Sequence, residues 1–396
     1  MAEAVPCFSS WGVRMPITAY SKEAAREVDL EQWLTLNHYS IKGDPLLERM
    51  PVELREKAAR DIECSGCRAH GAMLVAVGRQ RGVGRSVSQG HFRFGTAGGA
   101  NPHHPFCDFY FDEQAPRNAD YLVNFASDKS TFTRVVRDLV CRGIRAGHFG
   151  QGDIRRTRLW FLDEKIAHAM PLDVTPELLN WCVDMDGARF ARELPFQPEH
   201  GQMPGFDWTQ AAKSEWCRRN AGLFEERPIR VHFRSEAIQR ALKLIELKGS
   251  ATVLDPTALR EKYETVVQLS EFAAIYLYHQ VGEKPKNHWR IDGLKSAGRG
   301  LLALCALLLF MNNWDVARAS SAFARLTALP PAADGTEGNV MGLNPFHDYE
   351  AWQILHEARQ VAVRRTDTRP VAEQIDALKT ALHTAYLDWL TKTKPH

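Results

Sequence analysis

Residues 64–107 read CSGCRAHGAMLVAVGRQRGVGRSVSQGHFRFGTAGGANPHHPFC. Cys64 and Cys67 form a CxxC, and His104 with Cys107 forms a second pair with the same two-residue gap. Two intervening residues let one tight turn aim both side chains at a tetrahedral ion, and thiolate with imidazole is the donor set that zinc prefers. The spacing therefore predicts a structural zinc ion on Cys64, Cys67, His104 and Cys107, with His103 and His91 as the neighbours able to replace His104 or to support the site from behind. Between the pairs, Met73–Val77 and His91–Phe94 have strand character and are separated by the basic, glycine-containing segment Gly78–Gly90, which predicts a hairpin with a long loop.

Outward from this core the pattern changes. On its N-terminal side the chain is mixed, with an extended piece at Met15–Tyr20 and helices expected over Glu23–Leu36 and Val52–Asp61, the second opened by Pro51. After Pro116 helical periodicity dominates: a helix capped by Ser130 or Thr131 running to Arg145, one opened by Asp153, one begun by Thr175-Pro176-Glu177. Residues 193–207 carry Pro195, Pro198, Gly201, Pro204 and Gly205 and form the clearest connector. An extended piece at Ile229–Phe233 follows. Beyond it, helices are expected at Ser235–Leu247, Pro256–Gln280, Gly293–Asn312, Trp314–Leu329, His347–Arg364 and Pro370–Lys392. The fold class is α+β, an N-terminal zinc-stapled module with a small β-hairpin followed by a large, mainly α-helical body. As domains this divides into 1–115, a basic helical region at 116–200, and 206–396.

Composition sets outer bounds. A chain of 396 residues, 44% hydrophobic and 25% charged, is long enough for more than one core and is globular in character. A net charge of +2 implies no anionic partner by itself, so any charge argument is local. The most apolar stretch, Leu301–Met311, is shorter than the roughly 20 residues that cross a bilayer and reads as a buried helix. No secretory pattern opens the chain, and of eight cysteines only three sit in the ligand pattern, so the expected setting is the cytoplasm, with no membrane and no nucleotide cofactor. Gly82-Val-Gly84 is too short for a nucleotide fingerprint.

The order Cys64-x-x-Cys67, strand, basic loop, Gly90-His91-Phe92-Arg93-Phe94, then His103-His104-x-x-Cys107 resembles the N-terminal zinc module of CoiA-like competence proteins. The resemblance covers about residues 60–112. It implies work on DNA in a bacterial cytosol, in a family where a restriction-endonuclease-like domain follows the module. Here the following sequence is helical instead, so only the ligands and, loosely, His91 and Arg93 carry over.

Between Cys64 and Arg158 there are fourteen basic residues against seven acidic ones, and all the basic residues but Lys129 are arginine, the side chain suited to bidentate phosphate contacts. Arg79, Arg81, Arg85 and Arg93 on the hairpin and Arg134, Arg137, Arg142 and Arg145 on the next helix are the candidate nucleic-acid contacts. A metal-dependent nuclease needs two carboxylates on one ion and a lysine near the attacking water; Asp153, Asp163 and Lys165 supply those types. The leading expectation is a non-catalytic, zinc-containing nucleic-acid-binding protein, with DNA ahead of RNA, working alongside other protein subunits in a bacterial DNA-processing, competence, mobile-element or defence system. The alternatives are a nuclease related to the CoiA-like group and a helical protein-interaction scaffold with a structural zinc.

Overall fold

The computed structural model describes residues 18–79, 86–88, 90–95, 101–107, 109–110, 122–123, 131–188, 195–225, 235–248, 252–280, 293–332, 342–343 and 346–393. The first elements are β1 (Thr18–Ser21), β2 (Arg26–Asp29), α1 (Leu30–Leu36), α2 (Val52–Asp61), β3 (Ile62–Glu63), β4 (Ala72–Val75), β5 (Gly78–Arg79), β6 (Ser86–Ser88), β7 (His91–Phe94) and β8 (Leu122–Val123). Next come α3 (Thr131–Arg145), α4 (Gln151–Ala167), β9 (Ala169–Pro171), α5 (Pro176–Ala188), α6 (Trp208–Arg219), α7 (Gly222–Glu225), α8 (Ser235–Lys248) and β10 (Thr252–Leu254). The chain closes with α9 (Arg260–Gln280), α10 (Gly293–Met311), α11 (Val316–Ala328), β11 (Gly342–Leu343), α12 (Tyr349–Arg364) and α13 (Val371–Thr393). The α+β class holds: helices dominate, and the sheets are small and antiparallel.

The chain divides into two compact units, each built from two separated stretches: 1–167 with 260–347, and 168–259 with 348–396. This replaces the expected serial division at 1–115, 116–200 and 206–396. The proline- and glycine-rich connector at 193–207 is not a boundary. Its described part carries a 3-10 turn, Pro198–Gln202, that packs on α13 inside the second unit.

In the first unit, β2, β1 and β3 form a three-stranded sheet in that order. The helix expected from Glu23 is instead a hairpin, because Ala25 turns through the left-handed region (φ 51°) and β2 returns against β1 before Asp29 caps α1. Asp29 accepts from the Gln32 amide at 2.7 Å and Gln32 reaches back to the Asp29 amide, a reciprocal cap that fixes the true helix start. Strands β4 and β7 pair as the sequence predicts, Ala72 opposite Phe94 and Val75 opposite His91. Trp33, Ile62, Ala72, Phe92 and Phe94 bury with Cys64 and Cys107 in one apolar cluster.

Asp61 ties this cluster together. Its carboxylate accepts from Ser21 Oγ and Trp33 Nε1 at 2.7 Å and from the Glu23 amide at 2.8 Å. Burial alone would raise its pKa, but these donors outweigh it and hold the carboxyl below its ordinary value. The rest of the unit is helical. Leu301, Leu304, Cys305, Leu308 and Leu309 of α10 are buried, as the apolar run predicts, and α10 packs on α9, α3 and α11. Helix α3 comes close to the following loop through Gly143: a Cβ there would lie 2.4 Å from the ring of buried Phe149. Among the described residues no single helix is long and apolar enough to cross a membrane.

The second unit pairs β9 with β10, Met170 opposite Val253, and packs α13 on α6 and α12 on α8 and α5. Among its described residues, the buried indoles of Trp181 and Trp216 and the Gln374 side chain are matched. Trp216 Nε1 donates to Gln374 Oε1 at 2.8 Å, the Gln374 side-chain amide donates to the Arg369 carbonyl at 2.7 Å, and Trp181 Nε1 reaches the same carbonyl at 2.9 Å. Arg240 pairs with Asp348 at 2.6 Å. The extended piece expected at 229–233 lies outside the described residues.

Candidate metal centre

Four side chains converge beside the β4–β7 hairpin: Cys64, Cys67, His103 and Cys107, whose ligand atoms all lie within 4.8 Å of one another. Cys64 Sγ is 3.7 Å from Cys107 Sγ, and His103 Nδ1 is 3.3 Å from Cys67 Sγ and 3.7 Å from Cys107 Sγ. Around a tetrahedral ion with thiolates at about 2.3 Å and imidazole nitrogen at about 2.0 Å, the edges are about 3.8 Å between sulfurs and about 3.5 Å from sulfur to nitrogen. These three separations are close to those edges and the remaining ones are no longer than 4.8 Å, so the four side chains can hold a metal ion after a modest contraction.

His103 takes the place that the spacing assigned to His104. The reason lies in the turn His104-Pro105-Phe106-Cys107, closed by the Cys107 amide donating to the His104 carbonyl at 2.8 Å. Pro105 sets the second position of that turn, and His104 Nδ1 accepts from the Phe106 amide at 3.1 Å, which commits that nitrogen to its own loop and leaves His104 outside the cluster. His103, one residue earlier, stands instead with its ring edge against Phe94 of β7 at 5.3 Å. The Asn101 side chain accepts from the His103 amide at 3.0 Å and steadies that approach. His91, in register with Val75 on the hairpin, is outside the cluster.

The backbone serves the sulfurs. Cys64 Sγ accepts from the Gly66 amide at 3.3 Å and Cys107 Sγ from the Phe109 amide at 3.4 Å, and the Ala69 amide does the same for Cys67. Each cysteine thus receives an N–H from the residue two positions on, which stabilises thiolate charge. Gly66 eases the approach, since a Cβ there would sit 3.2 Å from Cys107 Sγ and 3.4 Å from the Phe109 ring, and the sulfur would have to give by a few tenths of an ångström. Burial pushes the Cys64 and Cys107 thiols up, while Cys67, which accepts from Cys107, Cys64 and His103, is held far below the usual thiol range. Deprotonating all three would set adjacent thiolates against one another, and a divalent cation among them would remove that repulsion.

The other candidate residues are dispersed. Asp153 and Asp163 lie on the single helix α4, ten residues apart, which is about 15 Å along its axis. They cannot share an ion. Asp153 closes the helix start by accepting from the Gly150 amide at 2.7 Å, Asp163 pairs with Arg68 at 3.3 Å, and Lys165 Nζ donates to the Phe106 carbonyl. The three residues of the alternative nuclease reading therefore do not come together.

Among the candidate nucleic-acid contacts, Arg142 is committed internally: it pairs with Asp138 and donates to the Leu329 carbonyl at 2.6 Å. Arg93, Arg134 and Arg145 are exposed and Arg137 is half-buried. Arg79 opens the β5–β6 ladder opposite Ser86, and Arg81 and Arg85 lie outside the described residues. Two further arginines that the sequence counts as basic surface, Arg155 and Arg158, pair inwardly with Glu63 and Glu27. Compared with family models, curated proteins and solved structures, the chain matches none.

Proposed function

We propose that this protein is a zinc-containing nucleic-acid-binding protein of the bacterial cytoplasm, in which Cys64, Cys67, His103 and Cys107 hold a structural zinc ion. The carrying observation is the convergence of three sulfurs and one imidazole nitrogen within 4.8 Å of one another, the soft donor set suited to zinc. Four protein donors leave no open position for water or substrate, so the ion would build structure rather than perform chemistry. In support of a polyanionic partner stand the local arginine excess and the exposure of Arg93, Arg134 and Arg145. The order of ligands and hairpin, which resembles the CoiA-like zinc module, favours DNA and a role within a DNA-processing assembly.

The test is metal content together with binding to labelled single- and double-stranded DNA and RNA across a salt series, with magnesium present so that cleavage would register. One zinc per chain and binding that weakens steeply with salt support the reading. Replacing Arg93 or Arg134 by Ala would then weaken binding uniformly across sequences and lower the salt slope by about one for each phosphate no longer neutralised. Absence of binding at low salt favours the protein-interaction scaffold instead.

A further inference from the structure

One side of α4 is given over to the metal-bearing module. Gln151, Arg155, Arg158, Leu162 and Lys165 recur at alternating spacings of four and three, which places them in one row on a helix. Each polar member of that row meets the module. Gln151 Oε1 accepts from the Glu27 amide at 2.7 Å, Arg155 pairs with Glu63 and lies 3.9 Å over the Tyr20 ring, and Arg158 pairs with buried Glu27. At the far end of the row the partners are the metal loops themselves. Lys165 donates to the carbonyl of Phe106, the residue before Cys107, and neighbouring Asp163 receives Arg68, the residue after Cys67.

Two features indicate that this docking depends on something holding it. Arg68 has φ 61°, an uncommon conformation for a residue with a Cβ, and it sits in the chelating turn closed by the Cys64 amide on the Ala69 carbonyl at 2.7 Å. Arg155 and Arg158 each bring a guanidinium out of water against a single carboxylate, Glu63 and Glu27, so holding the row against the module carries a desolvation cost. We infer that the metal centre and the α4 row form one linked latch: metal binding fixes the two loops that present Arg68 and the Phe106 carbonyl, and metal loss releases the module from α4. This rests on the metal reading above, and goes beyond it by giving the ion a regulatory consequence. Linkage is reciprocal, so residues on α4 that touch no ligand must also tune metal affinity.

The experiment uses the full chain, zinc(II) and two readouts. Hydrogen exchange at 151–167 is followed with the metal bound and after chelation, with α9 and α10 as the internal reference. Zinc affinity is measured by competition with a chromophoric chelator for the wild type and for Asp163→Asn with Lys165→Met, two exposed or half-exposed changes on a helix that supplies no ligand. The latch predicts that chelation raises exchange across 151–167 while 301–309 stays protected, and that the double variant binds zinc about tenfold more weakly. Stoichiometric zinc binding with unchanged exchange at 151–167 and wild-type affinity in the variant overturns the latch and leaves the metal centre standing. Loss of protection throughout 301–309 as well overturns it in favour of global unfolding. A chain that binds no zinc removes both readings at once.

Discussion

At the scale of single residues, the choice between two adjacent histidines is the most direct check of the site. His103→Ala should abolish stoichiometric metal binding, whereas His104→Ala, which removes only a turn hydrogen bond and a ring contact, should retain the ion. Metal analysis of the two purified variants decides it, and the opposite pattern would restore His104 as ligand. The cysteine positions are legible in the sequence because ligand chemistry restricts residue type and spacing. The histidine is not, because a second histidine lies next to it and only the Pro105 turn decides which ring faces the sulfurs. Cys67→Ser should release the metal and destabilise the module, since metal-linked folding energy disappears with the thiolate. Asp61 is likewise invisible to pattern reading: nothing in Arg60-Asp61-Ile62 announces a buried acceptor of three donors. Asp61→Ala leaves the Trp33 and Ser21 donors unmatched and should cost at least about 2 kcal/mol in denaturant unfolding. Because the folded pKa of Asp61 is depressed, its contribution is present above the unfolded carboxyl value of about 3.9 and is lost as pH falls through the lower folded value. Acid unfolding below about pH 4 should accordingly be shallower in the variant.

At the scale of elements, the long helices are readable from the sequence and the short hairpins are not. The α10 run is apolar on nearly every side, and the only helix that satisfies such a pattern in water is one enclosed by other helices, as α9, α3 and α11 enclose it. Leu304→Ala should therefore cost about 2–5 kcal/mol by reduced burial and by the cavity left behind. Thermal or denaturant unfolding of the variant measures this directly, and a cost under about 1 kcal/mol would show that α10 can collapse onto the gap. By contrast, the β1–β2 hairpin reads as helix in the sequence because Glu23-Ala-Ala-Arg-Glu27 has strong helical propensity. Tertiary demands prevail there: Val28 and Ala19 bury in the core, and Glu27 is drawn to Arg158 across 131 residues of sequence. Partners so distant in the chain leave no periodic trace. For the same reason a count of basic residues overstates the surface, since Arg142, Arg155 and Arg158 serve internal acceptors that only the folded chain brings near.

At the scale of the whole molecule, the two units each close over their own core, and neither is a continuous segment, which is why composition taken serially along the chain misplaces the boundaries. The second unit contains none of the four clustered residues, and three of its described buried polar groups are satisfied from within: Trp216 by Gln374, and both Gln374 and Trp181 by the Arg369 carbonyl. Gln374→Leu would leave the buried Trp216 indole N–H without its acceptor, while the Arg369 carbonyl keeps Trp181 Nε1 as donor. The expected cost is about 1–3 kcal/mol, the usual penalty for a buried group left without its match. If the units are energetically separate, that cost appears as faster hydrogen exchange in 208–219 and 371–382, with zinc affinity unchanged, since mutations that share no partners act independently. A parallel fall in zinc affinity would show instead that the two cores are coupled, and the metal centre would then report on the stability of the entire chain.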